Sequence, residues 1–422
     1  MNTAAASSLV PASLAAFAPL FAEPAGSPIR ELFPYLSRPG MISLAGGYPS
    51  ASLLDAEGLA QAATQAMAQG GMQVLQYGAT EGLPAMREAL AEQARARGMT
   101  ASAADVLVTT GSQQAFDLLV RVLIAPGDTA LVEVPAYPAT LQTLRLAQAQ
   151  VLTVPMDADG LDTDALAQLL AQLPAAQRPK LLYTVPNFSN PRGSLLSAQR
   201  RTALVQLALQ YGFWIVEDDP YGELRFDAAA EQGDSAMPPT VRAVAQEAAP
   251  AGRNPVIYLS SLSKTVAPAL RVGWMLADAA MLRRCAVAKQ TVDLCTSPLA
   301  QMVAVSYLQG GRYAATVQHA RTAYQQRMHA LVDGLNALPG LPIRCTTPAG
   351  GMFVWAEIAG HIAPQQLFDA AVEQGVVYVP GQAFYPAEAD LQTLRMSFAS
   401  TEIPQIAQAV QRLGQAALNA AR

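Results

Sequence analysis

Lysine is nearly missing from this chain. Of its 27 basic residues, 24 are arginine and only Lys180, Lys264 and Lys289 are lysine. Cysteine is as scarce: Cys285, Cys295 and Cys345 are too few and too scattered for a disulfide framework or a thiolate cage. The three histidines (His319, His329, His361) lack ligand spacing, which argues against a zinc enzyme and leaves no metal expected. Positive charge has no surplus either. The chain carries 27 basic against 32 acidic residues, a net charge of −5, so a nucleic-acid partner is not expected. No uncharged run of membrane-spanning length is free of Pro, Gly or strongly polar residues. Residues 1–28 are rich in Ala, Ser and Pro and hold no basic residue, and Pro11 and Pro19 interrupt their apolar run. They read as a flexible N-terminal arm rather than a secretory signal. What is abundant is apolar material, 51% of 422 residues against 14% charged. That is enough for a large core and two domains in a cytoplasmic, globular protein.

In a chain that meets its charge needs with arginine, a retained lysine directs attention to chemistry arginine cannot do. An amine can lose its proton and form an imine.

From residue 105 to 277 short apolar runs alternate with helical patterns. The strands expected are Val106–Thr110, Thr129–Val134, Val151–Pro155, Leu181–Val185, Phe213–Glu217, Val256–Ser260 and Val272–Leu276. Helical stretches at Gln114–Ile124, Pro138–Ala147, Thr163–Leu173 and Ser197–Tyr211 lie between them. Continuous apolar strands bracketed by helices predict an α/β fold with a mostly parallel sheet covered on both faces. Two long helical patterns follow, Ala279–Gln309 and Tyr313–Leu338, and then a smaller α+β region. That region has strands near Gly351–Glu357 and Thr393–Phe398 and helices near Pro364–Gln374 and Ile403–Leu418. Ligands of such sheets sit at the carboxyl ends of the strands.

Four strand ends carry suggestive residues. At Ser260-Ser261-Leu262-Ser263-Lys264-Thr265 a strand runs into hydroxyls around a lysine, with Arg271 seven residues on. A solvated polar loop is the plain alternative. The chemical reading is a phosphate-bearing ligand whose carbonyl the lysine traps as an imine. At Glu217-Asp218-Asp219 three carboxylates end an apolar strand, where burial demands a cationic partner. A metal cluster, helix capping or a protonated pyridine nitrogen would each satisfy that demand, and Tyr221 stands within reach of an adjacent ring oxygen. Thr109-Thr110-Gly111-Ser112-Gln113-Gln114 is a strand, a glycine turn and a helix start, the geometry of an anion site. Thr184-Val185-Pro186-Asn187-Phe188-Ser189-Asn190-Pro191-Arg192-Gly193 is a strand end with an Asn-Pro turn. Lys180, opening a strand, and Lys289, in a helical stretch, read as ordinary. Trp214, Trp274 and Trp355 read as core, and Cys285 and Cys295 as small core hydrophobes of a helix.

Taken in order, Gly111-Ser112-Gln113, Tyr137, Asn190-Pro191-x-Gly193, Asp218-x-x-Tyr221, Ser261-x-Ser263-Lys264 and Arg271 resemble the fold-type I pyridoxal-phosphate enzymes. Ile42-Ser43-Leu44-Ala45-Gly46-Gly47-Tyr48-Pro49, Leu75-Gln76-Tyr77-Gly78-Ala79-Thr80-Glu81-Gly82, Gly350-Gly351-Met352-Phe353, Val379-Pro380-Gly381 and Leu394-Arg395-Met396-Ser397-Phe398 narrow the likeness. They resemble the class I/II aminotransferases of the 2-aminoadipate/aromatic (kynurenine/aminoadipate-like) subgroup, from about Arg30 to the C-terminus.

The resemblance implies an aspartate-aminotransferase-like fold, pyridoxal 5'-phosphate as cofactor and a homodimer. It implies a 29–55 segment near the active site, a large cofactor domain over 56–310 and a small domain over 311–422. Lys264 would hold the cofactor covalently and shuttle the substrate proton. Asp218 would pair with the pyridine nitrogen, and Asn190 and Tyr221 with the ring hydroxyl. Tyr137 would stack on the ring, while Ser112, Gln113, Ser261, Ser263 and Arg271 hold the phosphate with Tyr77 of a second subunit. Arg395, with Asn190 and Gly47, would take the substrate α-carboxylate. Arg30 would serve a distal carboxylate, and Tyr48 and Phe384 would line the side-chain end.

The implied reaction moves the amino group of an L-amino acid to a 2-oxo acid by a ping-pong mechanism, with 2-oxoglutarate the expected acceptor. The expected donors are 2-aminoadipate, aromatic or leucine-like. Elimination, decarboxylation or acyl transfer on the same cofactor is the alternative, and a non-catalytic effector-binding module is a further one. Arg192, where small residues are usual, and Tyr48, where an aliphatic is usual, depart from the pattern, and both are expected to reshape the pocket. No helix-turn-helix pattern precedes residue 30.

Overall fold

The computed structural model describes residues 15–22, 26–226, 237–250, 252–338, 343–359, 362–387 and 392–420. The expected arm therefore lies partly outside the described residues, as does His361. After a short helix α1 (Phe33–Leu36), strand β1 (Ile42–Ser43) leads to helices α2 (Ala56–Gly70) and α3 (Pro84–Ala96). The Asp55 carboxylate starts α2 by accepting the Gly58 N–H at 2.9 Å.

The large sheet contains β2 (Val106–Thr109), β3 (Thr129–Val134), β4 (Gln150–Asp157), β5 (Gly160–Leu161), β6 (Leu181–Thr184), β7 (Trp214–Asp218), β8 (Val256–Ser261) and β9 (Gly273–Leu276). Its order is β2-β9-β8-β7-β6-β3-β4-β5. The pairs β8·β7, β7·β6, β6·β3 and β3·β4 are parallel. β9 runs antiparallel to both neighbours, and the short β5 turns back along β4. The expected mostly parallel sheet is thus present, with the Val272–Leu276 run reversed.

Both faces are buried, and pleating decides which residue goes where. Leu107, Val132, Tyr183, Val216 and Met275 share one core with α4 (Ser112–Leu123). Val106, Val108, Trp274 and Leu276 pack into a second core with α3. Leu131, Leu182 and Ile215 pack into a third with α6 (Thr163–Gln172), α7 (Ala198–Tyr211) and α8 (Val241–Ala248). Helix α5 (Pro138–Leu146) follows β3.

The expected run Ala279–Gln309 is two helices, α9 (Ala279–Val292) and α10 (Pro298–Gln309). The first is capped at Asp293, after which Leu294 turns to a φ of 65°, and the Ser297 hydroxyl accepts the Ala300 N–H at 3.3 Å to begin the second, with Pro298 at its first position. Cys295 accordingly sits in the break, not in a helix. Helix α11 (Tyr313–Asn336) leads to an antiparallel sheet ordered β10-β11-β14-β13, formed by Ile343–Cys345, Phe353–Ile358, Thr393–Ser397 and Val379–Pro380 respectively. It packs with α12 (Pro364–Glu373) and α13 (Ile403–Ala420). The N-terminal β1 pairs in parallel with β12 (Val376–Val377), which draws the Ala45-Gly46-Gly47 turn to this part of the chain.

Candidate active site

The carboxyl ends of β2, β6, β7 and β8 open on a cavity of about 320 Å³. Ser112, Gln113, Tyr137, Asn190, Asp218, Tyr221, Ser261, Ser263, Lys264, Arg271 and Arg395 line it with Gly47 and Tyr48. Residues far apart along the chain are thereby collected by strand ends, a β–α turn and one strand of the smaller sheet.

Strand alternation separates the three adjacent acids. Asp218 faces the cavity, and Glu217 and Asp219 point elsewhere. Glu217 accepts the Val241 and Arg242 N–H groups, both at 2.8 Å, so it caps α8. Asp219 pairs with Arg97 at 2.9 Å and accepts from Asn187 Nδ2 and the Tyr258 hydroxyl. Helix capping, one of the readings left open by the sequence, is therefore true of Glu217. No group of acids, cysteines and histidines among the described residues has metal-holding geometry.

Asp218 has two unlike oxygens. Oδ2 accepts the Tyr183 hydroxyl at 2.6 Å, while Oδ1 is buried without a partner. Burial pushes this carboxyl up to about 7 against the lowering effect of Tyr183 and, further down, Ser112. An unpartnered buried carboxylate oxygen on a cavity wall fits a protonated ring nitrogen. Sequence reasoning misses Tyr183, although it has a readable signal. It is a tyrosine inside an otherwise apolar strand, and its register opposite Val216 places it on the Asp218 face.

Lys264 Nζ donates to the Gly47 carbonyl at 2.8 Å. Its amine is lowered to about 8, first by burial and then by the positive charges of Arg395 and Arg271, with Asp218 opposing. A substantial neutral fraction near pH 8 suits an amine that must attack a carbonyl. Opposite it, Arg395 is 1% exposed and lies over the Phe353 ring at 4.5 Å and the Phe384 ring at 5.2 Å. Nη1 donates to Asn190 Oδ1 at 2.9 Å and Nη2 to the Ala45 carbonyl, while Nε is buried without a partner. The guanidinium is fixed yet keeps donors for a carboxylate. Phe384 stands behind Arg395 and does not line the cavity, contrary to expectation.

At the other end, Gly111 and Gly273 let two backbones meet. A Cβ on Gly273 would lie 2.6 Å from the Ser112 nitrogen, and one on Gly111 2.7 Å from Arg271 Nη2. The first turn of α4, the Arg271 guanidinium and the Ser261–Ser263 hydroxyl pair (2.7 Å) thus form a cup of N–H, O–H and cationic donors. The donors of this cup, the bare Asp218 oxygen and the Lys264 amine fit the phosphate, ring nitrogen and aldehyde of pyridoxal phosphate.

Four expected residues stand apart. Tyr77 is 78% exposed and lines a separate surface groove with Asp293 and Cys295. Arg30 is exposed and off the cavity wall, although its neighbours Ile29, Leu32 and Phe33 line it. Arg192 lies off the wall, where its charge acts on Asp157, so it does not shape the pocket. Lys289 is not an ordinary surface lysine; its side chain is 0% exposed.

The sequence profile described as "Aminotransferase class I and II" matches residues 41–413. The chain is 37% identical over 391 residues to the aromatic-amino-acid aminotransferase 1 of Thermococcus litoralis, covering 92% of this chain and 91% of that protein. It is also 37% identical, over 390 residues, to the 2-aminoadipate transaminase of Thermus thermophilus, covering 92% and 93%. A crystal structure of the alpha-aminoadipate aminotransferase from Thermus thermophilus, complexed with N-(5'-phosphopyridoxyl)-L-leucine, superposes with a TM-score of 0.84. It shares 36% identity over 94% of this chain and 95% of that one. The fold is that of the fold-type I pyridoxal-phosphate aminotransferases. The chain belongs to the aminotransferase class I and II family, and its cofactor is pyridoxal 5'-phosphate.

Proposed function

We infer that the protein moves the amino group of an L-amino acid with an aromatic, leucine-like or 2-aminoadipate side chain to a 2-oxo acid, with 2-oxoglutarate as acceptor. The two half-reactions share one site. The observation that carries this reading is the Arg395 fork and the Lys264 amine facing one cavity whose outer wall is apolar, from Ile29, Leu32, Phe33 and Leu36. Arg30, exposed beside that wall, supplies a movable charge for a distal carboxylate. The names of the two relatives, one aromatic and one 2-aminoadipate, support a pocket of this dual character.

Bound pyridoxal phosphate supplies an aldehyde for amine exchange and a ring that takes up the electron pair left when the substrate Cα–H bond breaks. The chain's residues do the rest. Ser112, Gln113, Ser261, Ser263 and Arg271 bind the phosphate. Asp218, braced by Tyr183 at Oδ2, would hold a proton on the ring nitrogen through the unpartnered Oδ1. Asn190 and Tyr221, which share the cavity wall, would meet the ring hydroxyl, and Tyr137 would cover the ring face. Arg395 would orient the α-carboxylate so that the Cα–H points at Lys264, whose Nζ would carry the proton from that carbon across to the cofactor.

We further take the working unit to be a homodimer with Tyr77 serving the partner's phosphate cup. Met72, Leu75 and Tyr77 are 86%, 64% and 78% exposed, an apolar patch that a single chain leaves uncovered. The division at 29–55, 56–310 and 311–422 is kept as the domain reading, and the cytoplasm as the location. Mixing the loaded enzyme with a panel of amino acids tests the function. Aromatic, leucine-like and 2-aminoadipate donors should bleach the cofactor's visible band and leave its amine form, which 2-oxoglutarate restores. Release of ammonia or carbon dioxide instead would refute transfer.

A further inference from the structure

Behind the phosphate cup, around the fully buried side chain of Lys289, lies a half-buried polar cluster that the reaction does not use. Lys289, on the last turn of α9, donates to Asp293 Oδ1 at 2.6 Å and to Gln114 Oε1 at 3.1 Å. Asp293, in the break between α9 and α10, accepts from Gln114 Nε2 at 2.7 Å and from the Thr110 hydroxyl at 2.8 Å through Oδ2. Gln114 closes the ring by accepting the Thr110 N–H at 2.8 Å. The Lys289 side chain is 0% exposed. Only the amine is fully buried; Asp293 is 25% exposed and opens on the Tyr77 groove, so what the pair provides is a fixed place for the groups hydrogen-bonded to it.

What it places is specific. Thr110 and Gln114 flank Gly111, Ser112 and Gln113 on either side, and the carbonyl of Thr110 also accepts from Arg271 Nη2 at 3.3 Å. The cluster does not end there. The Thr110 hydroxyl lies 3.3 Å from that of Thr296, whose carbonyl accepts from Gln301, and Gln301 accepts the Leu83 N–H at 2.7 Å. Leu83 follows the loop that carries Tyr77, and Asp293 itself lines the Tyr77 groove.

We propose that Lys289 and Asp293 are positioning residues that lock the Thr110–Gln114 turn from behind in the conformation a phosphoryl ester requires. They act through Thr110 and Gln114 and touch no ligand themselves. The inference rests on the reading that this turn takes the cofactor's phosphate, and it goes beyond that reading by assigning the turn's shape to the Lys289–Asp293 ion pair behind it.

The test uses the apoprotein and two ligands without an aldehyde, pyridoxamine 5'-phosphate and pyridoxamine, titrated by calorimetry, so that Lys264 chemistry does not enter. Wild type should prefer the phosphorylated ligand strongly. Lys289→Met, and Thr110→Val, which deletes one hydroxyl at constant shape, should each weaken the phosphorylated ligand about tenfold and leave pyridoxamine unchanged. Equal weakening of both ligands would mean general packing and overturn the inference, as would an unchanged preference. Should Lys289→Met fail to fold, Thr110→Val carries the same comparison. A wild-type protein without preference would refute the phosphate reading of the turn itself, a different failure from variants that keep a normal preference.

Discussion

Replacing Asp218 by asparagine should stabilise the apoprotein while destroying the enzyme. In the folded chain this carboxyl is pushed up to about 7 by burial, against an ordinary value of 3.8. A raised carboxyl contributes its full stability below the unfolded value, near pH 4, and loses it as the pH climbs to the folded one, near 7. At pH 8 the buried charge therefore costs the apoprotein on the order of 4 kcal/mol. Asparagine keeps an oxygen for the Tyr183 hydroxyl and turns an amide to the cavity in place of the bare Oδ1, with no charge to bury. Allowing for the weaker neutral hydrogen bond, Asp218→Asn should gain about 2–3 kcal/mol at pH 8 and no more than about 1 kcal/mol at about pH 4.5. Glu217, also pushed up to about 7 by burial, is present in both proteins and cancels to first order, while Glu133, raised mainly by burial and least by the Asp218 charge, is relieved of that last part in the variant, which adds to the gain in the same direction. Urea unfolding of both apoproteins at the two pH values measures it. A variant equally or less stable at pH 8, or a difference that ignores pH, would refute the claim that Asp218 waits as an unpaired buried charge. Turnover of the loaded variant should fall by orders of magnitude.

Borohydride reduction of the loaded enzyme followed by peptide mapping should label Lys264 and neither Lys180 nor Lys289. Uptake of the aldehyde cofactor by the apoprotein should quicken as pH rises through about 8, where the Lys264 amine loses its proton; a flat profile would contradict that. Arg395→Ala should lower kcat/KM for every amino acid by about 2–5 kcal/mol, read from steady-state kinetics, because one buried charge-assisted pair is lost. Arg30→Ala should impair glutamate and 2-aminoadipate and spare phenylalanine and leucine; equal losses would deny Arg30 its role. Tyr77→Phe should weaken cofactor retention by about 1–2 kcal/mol in a protein that light scattering finds dimeric.

Most of the sheet is legible in the sequence because buried parallel strands are continuous apolar runs. The Leu181–Thr184 and Val256–Ser261 strands are examples. The reversal of β9 is not legible, since an apolar run carries no direction. The break between α9 and α10 is signalled by Ser297-Pro298 but hidden within a helical composition that runs through both sides. The reactive strand ends are readable by residue type and order, Lys264 most of all. What stays hidden is each side chain's facing. Phe384 is one residue-type match too many for the pocket, because its ring serves Arg395 from behind. Lys289 sits in a helix of ordinary polarity; its i,i+4 spacing to Asp293 is readable, but Gln114 reaches the amine only because α4 packs on α9.

The alternation at Glu217-Asp218-Asp219 has a consequence for how this enzyme can change. Three consecutive acids look interchangeable in a sequence, yet their duties do not overlap. One begins a helix, one faces the cavity, and one neutralises Arg97. A single-residue slip of this strand would turn Asp218 inward and present a neighbour's carboxylate to the cavity while stripping α8 and Arg97 of their partners. Drift by insertion or deletion is thus barred here, although substitution at the flanking acids is not chemically forbidden. Damage at 217 or 219 would surface as poor yield of folded protein, and damage at 218 as abundant, well-folded, inert protein.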